Sequence, residues 1–309
     1  MLTADAPVGA PAPEAVMARA HGENFPVASI VLPRRARSDL LAIYGFARLV
    51  DELGDGDLNG AGEGAGPGPA AEAGPGAGAA KERLAALDWV EQELDRAFAG
   101  QARHPLLVAL QPTLRGRALT REPFARLIEA NRVDQRVGRY QTWEQLRGYC
   151  ALSADPVGEL VLTVLGLATP TRVALSDSIC TALQLTEHCQ DVAEDLARGR
   201  VYLPAEDLQR FDCALDDLAA AHAGEPLRAV VAFEVARARG LLREGTPLIG
   251  QLRGRPRVAV AAFVAGGYAA LEAIEHAGYD VLAGPPRATR RARVVALAKT
   301  LTRGADRRS

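Results

Sequence analysis

The chain has 309 residues, 48% of them hydrophobic and 5% aromatic, with 36 basic against 38 acidic side chains and a formal net charge of −2. That apolar content supports a sizeable core and excludes a disordered tail, while the near-zero balance, without a long basic run, excludes nucleic acid as a partner. The apolar mass is Ala, Leu and Val with few isoleucines, a mix that suits packed helices over sheets, so an all-α fold is expected.

In chain order, residues 1–20 are Ala/Pro-rich, read as a flexible N-terminus, and lack the basic start and apolar core of a signal peptide. Pro33 marks a turn or helix start, and apolar spacing predicts a helix over 35–55. Residues 56–80 are almost wholly Gly, Ala, Pro and Glu, a composition expected to form a disordered insertion. Helical periodicity resumes with one stripe at Leu84, Leu87, Val90 and Leu94 and another at Leu106, Leu107, Leu110 and Leu114. Breaks are expected near 119–121, 141–143, 169–171, 198–204 and 250–257. The longest apolar run, 258–271, is short and glycine-broken for a bilayer span. One helical domain over 21–285 is therefore expected, followed by a basic helix or tail over 286–309. Arg287, Arg290, Arg291 and Arg293 read there either as a solvated tail or as contacts for anionic lipid headgroups. Cys150, Cys180, Cys189 and Cys213 form no Cys-x-x-Cys pair and read as reduced thiols in cytosol.

Two acidic segments carry the chemistry. In the first, Tyr44 to Asp55, the carboxylates of Asp51 and Asp55 stand one helical turn apart and repel unless a cation bridges them. In the second, Gln184, Glu187, Asp191 and Asp195 recur at spacings of three and four, forming one polar stripe along a helix. Arg198, Arg200 and Tyr202 follow at once, a basic and aromatic stretch suited to closing over an anion. A single acidic pair is weak evidence, since about four or five arise by chance at this composition. Glu91/Asp95 and Asp212/Asp216 are such decoys. His188 reads as a hydrogen-bonded or surface group and Cys189 as buried packing.

Magnesium binds few carboxylates at once and completes an octahedron with water and phosphate oxygens, so two acidic faces across a cavity suit a diphosphate. Loss of the neutralised diphosphate leaves a carbocation, which aromatic faces shelter; Tyr44, Phe46, Tyr140, Tyr149 and Tyr202 are candidates.

Five segments in order resemble the squalene and phytoene synthase family: Asn24 to Ser29 with Leu32-Pro33, Tyr44 to Asp55, Asp134 with Arg139-Tyr140, Tyr149 to Gly158, and Gln184 to Pro204. The resemblance implies an isoprenoid-synthase class I helical bundle around a central cavity. It also implies magnesium on Asp51, Glu52, Asp55, Asp191 and Asp195, catalysis by the four aspartates with Tyr44, and substrate contacts from Ser29, Arg48, Tyr149, Gln184, Arg198, Arg200 and Tyr202. The opening segment and Ser153 to Gly158 look most like the hopanoid-pathway branch, which converts presqualene diphosphate to hydroxysqualene without NADPH. Condensation of two prenyl diphosphates, such as farnesyl diphosphate, to squalene or phytoene is the alternative within the family. A non-catalytic isoprenoid-binding or partner protein is the alternative outside it. A companion synthase of the same pathway and peripheral contact with the inner face of the membrane, for a cytoplasmic enzyme, are further expectations. Glu52 replaces a usual aspartate and keeps the charge. Glu187 replaces a usual asparagine, leaving open whether it ligates magnesium, weakens diphosphate binding or is protonated.

Overall fold

The computed structural model describes residues 31–56 and 77–303. Ser29, the N-terminus and most of the 56–80 insertion lie outside the described residues. Among those described there is no strand, only an isolated parallel bridge between Arg139 and Val201. Pro33 precedes α1 (Arg34–Asp55), and Gly56, with φ 75°, closes it. Next come α2 (Ala77–Phe98), α3 (Pro105–Gly116), α4 (Glu122–Asp134), α5 (Trp143–Ser153) and α6 (Asp155–Val164). The second half holds α7 (Pro170–Gln190), α8 (Val192–Ala197), α9 (Ala205–Arg210), a 3-10 turn at Leu215–Ala219, α10 (Glu225–Gly245), α11 (Pro247–Gln251), α12 (Gly254–His276) and α13 (Arg290–Arg303).

Two apolar clusters organise these helices. In the first, Leu49 and Leu53 of α1 pack with Leu87 and Leu94 of α2, Leu107 and Leu110 of α3, and Phe124 and Ile128 of α4. The second is built on α7 against α10, with Leu185 and Ile179 meeting Val231, Val235 and Leu242, and it draws in α5, α11 and α12. Burying these aliphatic side chains is worth about 1.5–3 kcal/mol each before ordering entropy is subtracted. The first acidic segment lies on α1, and the second spans the end of α7 and the start of α8.

Three expectations change. The stripe from Gln184 to Asp195 does not lie on one continuous helix, because α7 ends at Gln190 and Asp191, at φ −105° and ψ 19°, joins it to α8. The apolar run at 258–271 belongs to the 23-residue α12, which by length and composition could cross a bilayer. Half of its most apolar window is buried in the bundle, however, with Ala261, Val264 and Leu271 fully enclosed. Phe46 is fully buried in packing, edge-on to Phe124 at 5.2 Å, and so is not a cavity face.

Candidate active site

Tyr44, Arg48, Asp51 and Asp55 follow one another at four, three and four residues, so α1 carries them on one face. Opposite stands α4. Its Asn131 Nδ2 donates to Asp51 Oδ1 at 3.2 Å, and Gln135 Nε2 donates to the Gly54 carbonyl at 2.9 Å. A Cβ at Gly54 would collide with the Asn131 amide, so the glycine sets how closely the two helices approach. Burial pushes the Asp51 carboxyl up to about 7; Asn131 and Arg48 oppose the rise, and Asp55 and Asp134 add to it.

The extended stretch after α8 closes the other side. Val201 N donates to the Gly138 carbonyl at 2.8 Å and Ala205 N to that of Tyr140 at 2.9 Å, which lays 200–205 along 138–141. This places the Arg200 guanidinium 2.9 Å from Asp55, joining the first acidic segment to the sequel of the second. Burial alone would lower the Arg200 pKa, but Tyr202, Asp134 and Asp55 outweigh it and keep the guanidinium charged.

Between these walls sits a polar aromatic cluster. Tyr149 donates to Asp134 Oδ2 at 2.7 Å and Tyr202 to Asp134 Oδ1 at 2.9 Å, so one half-buried carboxylate orients two phenols. The rings of Tyr140, Tyr149 and Tyr202 lie 5.4–5.9 Å apart, and His188 stacks on Tyr202 at 3.9 Å with 13° between planes. Burial raises both donor hydroxyls well beyond the ordinary phenol value, which keeps them neutral donors. The Gln184 amide lies 3.4 Å from His188 Nε2, and His188 Nδ1 lies 3.8 Å from Asp195 Oδ2. His188 is buried, which excludes only the surface position expected for it. The Asp191 carboxyl is raised by desolvation and by Asp195 and Glu194, against His188 and Arg287.

Of the expected residues, Arg200 meets Asp55, Tyr149 and Tyr202 meet Asp134, and Asp195 lies with Arg200, Tyr202 and His188 around one small pocket, while two others differ. Arg198 is half exposed and pairs with Glu194 at 3.0 Å, so the structure does not bring it into the cluster. Glu52 is buried, with Arg48 Nε 3.9 Å from its carboxylate. Among the described residues no three His, Cys, Asp or Glu side chains form a ready cage for a metal ion. The important additions are Asp134 and Asn131. Asp134 belonged to a recognised segment without a role, and its signal was a carboxylate followed by Arg139-Tyr140.

A family model described as squalene/phytoene synthase matches residues 18–296. The 15-cis-phytoene synthase of Synechococcus elongatus is 32% identical over 275 residues, 84% of this chain and 82% of that protein. The hydroxysqualene synthase of Zymomonas mobilis is 31% identical over 228 residues, 72% of this chain and 69% of that one. The crystal structure of squalene synthase HpnC from Alicyclobacillus acidocaldarius shares 44% identity with a TM-score of 0.73, covering 88% of this chain and 95% of that one. With the isoprenoid-synthase helical fold and both acidic segments in place, the chain belongs to the squalene/phytoene synthase family and is an enzyme of that type.

Proposed function

We propose that this enzyme ionises presqualene diphosphate and captures the resulting cation with water, giving hydroxysqualene and diphosphate. The observation that carries the reading is the site itself: two acidic segments joined through Arg200 and Asp55 beside a neutral aromatic wall. The identity with the HpnC synthase structure and with the hydroxysqualene synthases supports this branch.

Asp51, Asp55, Asp191 and Asp195 fit magnesium as hard oxygen donors, whereas Glu52 is buried beside Arg48. Magnesium would neutralise the diphosphate and make it a leaving group. Because no preformed cage exists among the described residues, phosphate oxygens and water would complete its shell. Arg200 and Arg48 would hold phosphate oxygens, with Tyr44 and Gln184 lining the substrate site and, on the family resemblance alone, Ser29 contacting the diphosphate. The carbon–oxygen bond breaks with its electron pair leaving on the diphosphate. Water then adds to the rearranged cation and releases a proton. The hydroxyls of Tyr140, Tyr149 and Tyr202, held neutral by burial, would not compete with water as phenolate nucleophiles for the cation.

No nicotinamide donor is needed, since the reaction involves no reduction. The substrate would come from a companion synthase, and the enzyme would work in the cytoplasm at the membrane's inner face. Head-to-head condensation is the second reading, favoured by the longer match to phytoene synthase. Presqualene, farnesyl and geranylgeranyl diphosphates should be offered separately, with and without magnesium and NADPH, and products identified by mass spectrometry. Hydroxysqualene from presqualene diphosphate with magnesium alone is expected; squalene or phytoene instead, or no turnover, refutes the reading.

A further inference from the structure

The outward face of α13 is unlike the rest of the surface. The helix packs inward through Ala296 against Ala265 and Ala269 of α12, and Arg257 holds its far end by donating to the Leu301 carbonyl at 3.2 Å. Outward it shows Arg290, Arg291, Val294, Val295, Ala298 and Lys299, residues one or four apart that form one exposed stripe. Val294 is 67% exposed and Val295 45%, and these neighbours are two of the four large apolar side chains exposed among the described residues. Residues 281–303 contain Arg287, Arg290, Arg291, Arg293, Lys299 and Arg303 and no carboxylate at all.

These cations do little for the helix itself. Arg290, Arg291 and Arg293 occupy its first turn, where no acidic residue stands and the positive end of the backbone dipole disfavours them. Their charge has no counterpart on α13, whereas an anionic surface would compensate both the arginines and the helix end. Paired valines between cations suit a headgroup boundary, where apolar groups enter the acyl layer and guanidinium groups meet phosphates.

We propose that the outward face of α13 docks the enzyme on an anionic lipid bilayer. The placement has a use. Gln190, next to Asp191, donates to the Pro286 carbonyl in the segment leading into α13, so docking holds the second acidic segment close to the bilayer. A water-insoluble isoprenoid diphosphate resides in that phase. The inference gives a surface to the membrane location of the preceding section, and it does not depend on which product forms.

The full-length protein should be sedimented with phosphatidylcholine vesicles and with vesicles containing phosphatidylglycerol, at rising salt. Binding is expected only to the anionic vesicles and should weaken with salt. Arg290→Ala with Arg291→Ala should weaken it about 25-fold, about fivefold per arginine. Val294→Ser with Val295→Ser should weaken it about fivefold. Circular dichroism and melting of each variant establish that α13 remains folded, and turnover in detergent separates docking from catalysis. Equal binding to neutral vesicles, no binding to either, unchanged binding by the folded variants, or self-association through this face in sedimentation velocity would each overturn the proposal.

Discussion

Asp134 is the residue on which the geometry makes its sharpest demand. It is half-buried at the end of α4, its carboxyl is raised by desolvation against the opposing effects of Arg200, Tyr149 and Tyr202, and two phenols donate to it at 2.7 and 2.9 Å. Asp134→Asn and Asp134→Ala separate its two roles. Asparagine keeps one of the two oxygen acceptors and sets an N–H against the other phenol while removing a charge whose burial is unfavourable, so a loss of about 1–3 kcal/mol, smaller than that of alanine, is expected. Alanine leaves two buried hydroxyls without their acceptor, at about 1–3 kcal/mol each, so a loss of about 2–5 kcal/mol is expected. Urea denaturation followed by circular dichroism measures both. Activity should order differently: both variants lose the anion that holds the phenols and Arg200, so diphosphate release should fall about 100-fold or more in each. Double-mutant cycles with Tyr149→Phe and Tyr202→Phe should show coupling of about 1 kcal/mol or more in the wild-type pairings. If asparagine destabilises as much as alanine, or alanine costs nothing, Asp134 does not organise this cluster.

Three more outcomes follow from particular contacts. Glu234 is fully buried on α10, shares Arg237 with Asp207, and is pushed up to about 8, first by desolvation and further by Asp207 against Arg237. Its raised folded pKa means that stability present below the unfolded value of 4.5 is lost as pH rises to about 8, by at most about 5 kcal/mol. Glu234→Gln should flatten that slope in urea titrations taken across this range, and an unchanged slope refutes the assignment. Arg200→Lys loses the planar fork beside Asp55 and should lower diphosphate release about 100-fold while leaving the melting temperature within a few degrees; wild-type turnover would count against a role in diphosphate binding. Gly245→Ala would drive a Cβ into Ile179 and to 2.6 Å from the Leu175 carbonyl, so a loss of about 1–3 kcal/mol is expected where α7 meets α10. A neutral result in the same titration would mean the two helices separate freely.

How much of this was legible depends on how local each signal is. The first helix, expected over 35–55, runs from Arg34 to Asp55, because Pro33 and Gly56 mark both ends and the apolar spacing between them is unbroken. Glu91 and Asp95 were read as decoys, and the structure spends both on Arg121, at 2.7 and 2.6 Å. The break at Asp191 was not legible, because residues 187–197 contain neither Gly nor Pro and their propensities favour continuing the helix. Nor was the convergence on Asp134, whose partners come from positions 15 and 68 residues away in the chain. Local pattern fixes helices and their faces, whereas a cluster assembled from three separate segments exists only after they pack.

The same packing explains why acidic side chains at this junction are costly in the folded protein. Asp51 and Asp191 are both raised by desolvation and by like charges beside them, so each disfavours the compact state when ionised. Asn131 and Arg48 only partly offset this at Asp51, and Arg200 is already engaged with Asp55. A cation held between the two segments would relieve that repulsion, so binding and folding should be linked: magnesium with inorganic diphosphate is expected to raise the melting temperature more than either alone. Asp51→Asn should raise the melting temperature without ligand, since it removes a buried charge, and should abolish that added shift. If the variant melts lower and still responds fully to magnesium with diphosphate, the carboxylate is neither a strained charge nor a metal ligand.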